Sequence, residues 1–410
     1  VSRRIRQLEA SARETLAAHE RDARPQLLTW EELARGESGD ELWDACQRSL
    51  LVHGELHNNL RMTWGKEVLN WTPDAESALR TLLDLNHRYA LDGRDPNSYG
   101  GILWCLGGLD RPFDPEKPIF GRVRPRSTAG HARRLDVEEY ARRTARPAVH
   151  QPPCVAVIGA GVSGLACANT LADQGWSVVV LDKGRRPGGR ANTRENRDEE
   201  ARRFDHGAQY FTARDPRFRR HVESWAGQGW VSEWRAEILR VDADGATELL
   251  PVRGGDPRWV ADPGMQELGE QLAVGLDVRC GVRVERIEPA HAGEADEVGA
   301  SEIEASAPER GWVLVTTEGD RIGPVEHVVV TAPPAQAAEL FDSTGDAEAA
   351  AWAEDARSAS VAPTWAAMFE FEDVEAPAGI GADALLAEGH AISWAARDAS
   401  KPGRAPGDRW

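Results

Sequence analysis

The chain has no hydrophobic run long enough to cross a membrane. No apolar stretch in its 410 residues reaches about 18 residues, the length at which a membrane-spanning helix is suspected. The N-terminal residues VSRRIRQLEASARETL are basic, but no apolar segment follows them, so they do not form a secretory signal. We therefore expect no membrane partner and a cytoplasmic location.

Cysteine is scarce and scattered. The five cysteines, at positions 46, 105, 154, 167 and 280, form no C-x-x-C pair and no cluster with histidine. This spacing argues against a disulfide scaffold and against a bound metal ion. A reducing compartment is the expected setting.

Basic residues are too few to balance the acidic ones in the second part of the chain. Residues 1–150 hold 23 Lys/Arg and 23 Asp/Glu, whereas residues 151–410 hold 26 and 44, so the second part carries the whole formal charge of −18. Such acidity opposes binding to a nucleic-acid backbone. A DNA partner is therefore expected only through the first part, which has a basic stretch between Arg122 and Arg134.

Three segments differ in their patterns. Residues 1–146 are predicted to be all α-helical, with buried faces at positions 42, 45, 46 and 49 and at positions 79, 82, 83 and 85. Residues 147–153 (PAVHQPP) are predicted to be a linker. Residues 154–410 alternate strand and helix patterns. The division predicts a helical segment followed by an α/β domain.

Within the α/β part, strands are predicted over residues 278–287, 312–317 and 325–331. The intervening stretch 290–310 is acidic and poor in aromatics, so we expect it to be disordered or an exposed hairpin.

A strand, a glycine loop, a helix and a second strand follow one another over residues 155–182. Glycines at 159, 161 and 164 have the spacing G-x-G-x-x-G, and the second strand ends at Asp182. In a dinucleotide-binding unit Gly159 permits the tight turn, Gly161 lets the backbone approach the pyrophosphate, and Gly164 lets helix and strand pack closely. The helix N-terminus attracts phosphate, and Asp182 can accept hydrogen bonds from the adenosine ribose. The pattern predicts a dinucleotide site.

A second glycine turn, Pro187-Gly188-Gly189-Arg190, follows just past Asp182. An arginine beside a pyrophosphate provides a permanently charged fork for its oxygens. Because this arrangement is typical of flavoproteins, FAD is predicted rather than NAD. The alternative is a surface loop that happens to be rich in Gly and Arg.

The second part resembles the renalase-like branch of the FAD-dependent amine oxidase superfamily. The segments that carry the resemblance are VAVIGAGVSGLACANTL, PGGR, FDHGAQYFT at residues 204–212 and VVVTAPP at residues 328–334. The resemblance implies an α/β Rossmann-type FAD-binding domain with an interleaved mixed-sheet substrate domain over residues 154–410. It also implies hydride transfer from a small-molecule substrate, a reduced nicotinamide dinucleotide or an amine, to the flavin, with O2 as acceptor. Val284 would contact the adenine side through its backbone.

The first part resembles the C-terminal, FAD-binding helical half of DNA photolyases of the class II type. The matching segments are LHNNLRMTWGK at residues 56–66 and LDGRDPNSYGG at residues 91–101. The resemblance places Asn58, Arg61, Asp92 and Asn97 near a flavin and makes Trp104 a candidate for electron relay. The whole chain would then be an all-α photolyase-like segment fused to an oxidoreductase.

Both resemblances are partial. The photolyase turn that holds the FAD phosphates is not in this sequence, and the chain ends at Trp410 without the late glycine-rich motif of FAD amine oxidases. We therefore expect a fragment of a longer reading frame.

Two residues of the FDHGAQYFT segment are candidates for catalysis. His206 can accept a proton near neutral pH, and Gln209 lies in the same segment. The alternative for His206 is that it only holds its loop by hydrogen bonds. A flavin supplies the hard chemistry itself, so the absence of a hydrolase-like triad does not exclude an enzyme. Light-driven DNA repair and a non-catalytic FAD-binding module are the alternative functions.

Overall fold

The computed structural model describes residues 10–146, 153–195, 203–250, 256–290, 311–370, 382–405 and 410. The predicted linker, apart from Pro153, and the predicted acidic insertion, apart from Ala290, lie outside these residues. The chain divides into two compact units: unit 1 comprises residues 1–152 and 173–175, and unit 2 comprises residues 153–172 and 176–410.

Unit 1 is built from α-helices that share one apolar core. Four of the helices begin at an aspartate whose side chain accepts a backbone N–H of the first turn, which satisfies a donor that has no partner within the helix. These aspartates are Asp40, Asp74, Asp95 and Asp136. The helices are α1 Ala10–Ala18, α2 Trp30–Arg35, α3 Glu41–His53, α4 Asn58–Trp71, α5 Ala75–Tyr89, α6 Pro96–Cys105, α7 Thr128–Ala132 and α8 Val137–Thr144.

Tryptophan and leucine fill the core of unit 1. The indole of Trp43 stacks on Trp64 at 6.1 Å between ring centroids and donates from Nε1 to the Trp64 carbonyl oxygen at 2.8 Å. The predicted apolar faces of α3 and α5 are buried as expected. The prediction of helix throughout is wrong for residues 106–127, where four prolines, each lacking an N–H donor, interrupt helical hydrogen bonding.

Unit 2 contains a parallel sheet of four strands, taken from distant parts of the sequence, in the order β10-β2-β1-β14. Its strands are β1 Cys154–Ile158, β2 Ser177–Asp182, β10 Asp277–Cys280 and β14 His327–Val330, and helix α9 Val162–Asp173 connects β1 to β2. All five residues of β1 are buried because the strand lies between two neighbours inside the sheet. The predicted Rossmann-type arrangement is confirmed.

Smaller sheets surround the parallel one. A mixed sheet has the order β16-β15-β7-β8, an antiparallel sheet β5-β9-β6, another β11-β12-β13, and a hairpin β3-β4. The strands are β3 Thr193–Glu195, β4 Arg203–Asp205, β5 Phe211–Thr212, β6 Val231–Glu233, β7 Ile238–Val241, β8 Thr247–Leu250, β9 Arg258–Ala261, β11 Val284–Pro289, β12 Trp312–Thr316, β13 Arg321–Val325, β15 Ala384–Ala387 and β16 Trp394–Ala396. The helices are α10 Pro216–Gly227, α11 Met265–Ala273, α12 Pro334–Ser343 and α13 Ala347–Ser358. The predicted mixed sheet is therefore present.

Two predicted strands are each divided between two sheets. The run 278–287 breaks at Gly281, whose φ of 78° turns the chain from β10 into β11. The run 325–331 breaks at Glu326, because Val325 ends β13 and β14 begins only at His327. Apolar content alone does not show where a chain leaves one sheet for another.

Candidate functional site

The glycine loop between β1 and α9 is shaped by close backbone contacts. A Cβ on Gly164 would lie 1.9 Å from the Gly159 carbonyl oxygen, so only glycine fits there. Gly159 has a φ of 112°, and a Cβ on it would lie 2.5 Å from Oγ1 of Thr331. Gly161 differs, because a Cβ there would meet no atom within 4 Å. The space beside Gly161 is thus open, as the approach of a ligand requires.

The second glycine turn packs directly onto the first. Gly188 and Gly161 form a parallel β-bridge, and the Gly188 N–H donates to the Ala160 carbonyl oxygen at 2.7 Å. Helix α11 approaches from the other side, where a Cβ on Gly269 would lie 2.3 Å from the Gly188 Cα. Sequence reasoning missed Gly269, whose only visible signal is a glycine within a helical pattern.

Asp182 ends β2 beside the same loop. Its Oδ2 accepts from the Ala160 N–H at 2.5 Å, and its Oδ1 accepts from the Gly184 N–H at 2.6 Å. These bonds fix the orientation of the carboxylate. Each oxygen keeps a further lone pair with which to accept from a ribose hydroxyl.

Both glycine turns line one cavity of about 860 Å³. Its lining includes Asp182, Arg283 and Val284 as well as Ala208 and Phe211. The N-terminal turn of α9 also lines the cavity, and the first N–H groups of a helix have no partner within the helix. The volume falls in the range of cofactor pockets, about 300–1,000 Å³. The open glycine, the helix terminus and the volume together fit a dinucleotide.

Arg190 lies at the cavity with an exposed side chain. We expect Arg190→Ala to weaken FAD binding about tenfold to a hundredfold, the loss typical of one charge-assisted hydrogen bond. Flavin fluorescence titration measures the dissociation constant. Arg235→Ala, which removes an exposed arginine paired with Glu233, is the control. An unchanged dissociation constant in Arg190→Ala would show that this arginine does not contact the cofactor.

His206 and Gln209 are not among the residues that line this cavity. Gln209 is turned into the protein: its Nε2 donates to the Asp205 carbonyl oxygen, and its Oε1 accepts from Nζ of Lys401 at 2.9 Å. Nδ1 of His206 is buried without a hydrogen-bond partner in the described part of the chain. Their neighbours Ala208 and Phe211 form the cavity wall instead.

Gln209 leads to a group of four buried charges that sequence reasoning missed. We call Asp205, Asp398, Lys401 and Arg404 the buried quartet. Nζ of Lys401 lies 3.0 Å from Oδ2 of Asp205 and 3.2 Å from Oδ1 of Asp398, and Nη2 of Arg404 lies 2.7 Å from the same Asp205 oxygen. The side chains of Lys401 and Asp205 are 0% exposed, so these ion pairs are shielded from water.

The quartet is electrically balanced, but its two carboxylates differ. Burial acts most strongly on Asp205, yet the Lys401 and Arg404 cations outweigh it and hold the pKa of Asp205 below its usual value. For Asp398, burial prevails and raises the pKa. Asp205 is therefore the carboxylate on which the two cations act most effectively.

Asp205 also bonds Met265, which lines the cavity, and Thr193 at the start of β3. Its Oδ1 accepts from the Met265 N–H at 3.0 Å, where α11 begins without a side-chain cap of its own, and from Oγ1 of Thr193 at 2.7 Å. In the same loop, the Ala208 N–H donates to the Arg190 carbonyl oxygen at 2.9 Å. The quartet thus fixes the segment that joins the second glycine turn to the cavity wall.

Of the four residues of unit 1 that are predicted to lie near a flavin, two are hydrogen-bonded to each other. The Arg61 guanidinium donates to both carboxylate oxygens of Asp92, at 2.7 and 2.9 Å. Asn58 and Asn97 lie in the first turns of α4 and α6 and are exposed. Trp104 is 43% exposed, and its Nε1 donates to Oδ1 of Asp110 at 2.9 Å.

The bidentate pair gives a pH prediction. Arg61 hydrogen bonds lower the pKa of Asp92, so the pair stabilises unit 1 above the unfolded pKa, and this contribution is lost as the pH falls through the folded pKa. We expect Arg61→Gln to raise the pKa of Asp92 towards its ordinary value, as measured by carboxyl NMR titration. The effect on stability should stay below about 1 kcal/mol, because Asp92 is largely exposed to solvent. A pKa that does not move would contradict the pairing.

Two further findings concern the described residues only. They contain no cluster of three or more His, Cys, Asp or Glu side chains that could hold a metal ion. Among the same residues, no helix has the length and apolar character needed to cross a membrane.

Comparison with known families gives two matches in unit 2. Residues 157–225 match the family described as NAD(P)-binding Rossmann-like domain. Residues 239–388 match the family described as flavin containing amine oxidoreductase.

Comparison with curated proteins gives matches that include photolyases and L-amino-acid oxidases. Deoxyribodipyrimidine photo-lyase of Oryza sativa subsp. japonica is 41% identical over 129 residues, which are 32% of this chain and 26% of that protein. The enzyme of the same name from Potorous tridactylus is 41% identical over 132 residues, 32% of this chain and 25% of that protein. L-amino-acid oxidase of Trimeresurus stejnegeri is 41% identical over 69 residues, 16% of this chain and 13% of that protein. The chain spans about a quarter of the length of the photolyases that it matches.

Among solved structures, wild-type putrescine oxidase bound to putrescine aligns with 46% of this chain and 60% of its own, at 15% identity and a TM-score of 0.32. Taken with the site geometry, the family matches indicate FAD as the cofactor of unit 2. The C-terminal part of this chain is therefore similar to the NAD(P)-binding Rossmann-like and flavin-containing amine oxidoreductase families, and its N-terminal region is similar to photolyases.

Proposed function

We propose that unit 2 is an FAD-dependent oxidoreductase that oxidises a small molecule. The observation that carries the proposal is the open space beside Gly161 within a cavity of about 860 Å³ that both glycine turns line. The flavin would accept a hydride from the substrate and pass the electrons to O2. The residues of the chain would bind the cofactor, orient the substrate and shield both from water.

We propose a separate role for each group of residues around the cavity. Gly159, Gly161 and Gly164, with the N-terminus of α9, would receive the pyrophosphate, and Gly188, Gly189 and Arg190 would close over it. Asp182 would accept from the ribose, and Val284 would contact the adenine through its backbone. We propose that these roles belong to a domain of residues 154–410, preceded by a linker at residues 147–153.

Gln209 enters the proposal as a residue that positions its loop, whereas the role of His206 stays a sequence prediction. Because Gln209 is bonded to Lys401 and lies outside the cavity lining, its effect on the flavin would pass through Ala208 and Phe211. Proton transfer at the reacting atoms is not assigned to either residue.

The substrate class separates two versions of the proposal. The renalase-like resemblance favours reduced nicotinamide dinucleotides, whereas the amine oxidoreductase match favours amines. Anaerobic mixing of each compound with the flavin-loaded chain, followed by flavin absorbance, decides between them. Bleaching by a dihydronicotinamide and not by an amine supports the first version. If neither class bleaches the bound flavin, the chain is a binding module and not an oxidase of this kind.

A second candidate function belongs to unit 1. The photolyase-like identity of 41% over 129 residues favours light-driven DNA repair, with DNA held through the basic stretch that begins at Arg122. Illumination of the chain with a thymine-dimer oligonucleotide tests this. Loss of dimer in light but not in darkness supports repair, and equal dimer content in both contradicts it.

A further inference from the structure

A second cavity, of about 320 Å³, lies in unit 2 between the mixed sheet and the β5-β9-β6 sheet. Strand β5 separates it from the cofactor cavity. Phe211 lines the cofactor cavity, whereas Tyr210 and Thr212, on either side of it in the sequence, line the second one. This alternation is what a strand between two spaces produces. The second cavity is therefore distinct from the cofactor cavity.

One wall of this cavity is apolar and aromatic. Arg240, Leu386 and Trp394 are paired across three adjacent strands and share one row of the mixed sheet. The ring of Trp394 lies 5.6 Å from that of Tyr210, between centroids, at an angle of 50°. Two large rings and an aliphatic floor give a surface on which a flat apolar group can pack.

The rest of the lining is cationic. Arg240 pairs with Glu388 at 2.7 Å, and Arg214 lies 3.4 Å from Asp256. Arg258 has no carboxylate within ion-pair distance in the described residues, and its guanidinium lies 5.7 Å from the centre of the Tyr210 ring. Three arginines therefore face two carboxylates, each of which is already paired. This local excess of positive charge stands out in a part of the chain that is strongly acidic overall.

The lining also contains hydrogen-bond donors without a partner among the residues that the structure describes, which, like its positive charge, favour an anion. Nε1 of Trp394 and Nε of Arg240 are buried without a partner in the described residues, and both atoms are donors. Arginine is suited to carboxylate and phosphate because its planar fork matches their oxygens. The lining thus offers donors and positive charge, together with a surface for a ring.

We propose that the second cavity binds a small anion, a carboxylate or a phosphate monoester, carried on a single flat ring. The anionic group would lie at Arg258, and the ring would pack against the wall that Tyr210 and Trp394 form. A volume near the lower end of ligand pockets suits one ring and one charged group and excludes a whole dinucleotide. A cation of similar size is disfavoured by the arginine excess.

Four probes of matched shape test the proposal on the full chain. Benzoate and phenyl phosphate carry the proposed anions, benzamide is neutral, and benzylamine is cationic. Isothermal titration calorimetry gives their dissociation constants. We expect saturable binding of at least one of the two anions, and the tighter one identifies the anionic group. Benzamide and benzylamine should bind at least about tenfold more weakly, since they lack the charged contact.

Amino-acid substitutions test whether the anion binds in the second cavity. Arg258→Gln and Trp394→Leu should each weaken anion binding about tenfold or more, whereas Arg235→Gln, an exposed arginine outside the lining, should leave it unchanged. Thermal unfolding confirms that each variant folds. Gly161→Asp, which blocks the cofactor cavity, should retain anion binding, so that the result does not depend on the proposed function.

Three results would overturn the proposal. One is the absence of saturable binding by either anion. Another is equal affinity for benzylamine and benzoate. The third is a dissociation constant that neither the Arg258 nor the Trp394 variant alters while Gly161→Asp abolishes binding, because the anion would then occupy the cofactor cavity.

Discussion

A Gly161→Asp variant should fold normally and bind no FAD. A side chain at residue 161 meets no atom within 4 Å, so the loop itself tolerates the change. The new carboxylate would occupy the space next to the N-terminal turn of α9 that the pyrophosphate requires. The negative charges of the carboxylate and the pyrophosphate would also repel each other. Flavin absorbance of the purified variant and its circular dichroism measure the two parts of this expectation.

Two matched variants sharpen the test. Ala350→Asp adds the same charge on an exposed face of α13 and should leave FAD binding intact. Gly164→Ala should impair folding rather than binding alone, because its Cβ would lie 1.9 Å from the Gly159 carbonyl oxygen. Normal flavin content in Gly161→Asp would mean that the cofactor lies elsewhere.

Replacing Lys401 with Met should destabilise unit 2 by about 3–5 kcal/mol, the cost of leaving a buried charge without its partner. Lys401 is 0% exposed and donates to Asp205, Gln209 and Asp398. Because the chain has two units, hydrogen exchange read by mass spectrometry is the suitable measurement, since it reports each segment separately. The amides of α11 and of the loop after β4 should exchange faster.

The control for Lys401→Met is an exposed ion pair in the same unit. Arg235→Met, opposite Glu233, should change stability by less than about 1 kcal/mol. A second comparison is Asp398→Asn with Lys401→Met, which keeps the quartet neutral and should recover part of the lost stability. Equal exchange rates in wild type and Lys401→Met would show that the quartet does not hold the cavity wall.

The glycine loop could be predicted from the sequence because its geometry is local. Gly159, Gly161 and Gly164 lie within six residues, and Gly164 is confined by the Gly159 carbonyl oxygen in the same loop. Asp182 follows at the end of the next strand, which parallel pairing with β1 places beside the loop. The spacing of these residues in the sequence therefore nearly determines where they lie in a strand–helix–strand motif.

The buried quartet could not be predicted in this way. Lys401 and Asp205 are separated by 196 positions, and neither belongs to a periodic pattern that indicates burial. Charged residues are almost always at the surface, so a lysine in a loop is assigned to solvent unless its partner is known. Gly269 is similar, because its close contact with Gly188 exists only after α11 has packed.

The catalytic candidates His206 and Gln209 also show that sequence patterns do not give the direction of a side chain. The segment 204–212 does reach the cofactor cavity, but through Ala208 and Phe211. The side-chain chemistry of His206 and Gln209 predicts a catalytic role, but the direction of the Gln209 side chain depends on a residue far away in the chain. Gln209 is held by Lys401, and that contact turns it away from the cavity.

The flavin content of the purified chain and of Gly161→Asp, determined by absorbance after denaturation, is the most direct test of the cofactor site. We expect one FAD per wild-type chain and none in the variant. Two flavins per chain would mean that unit 1 also binds the cofactor, with one remaining in the variant. A wild-type chain that takes up no FAD even when it is supplied in excess would contradict the assignment of the cavity.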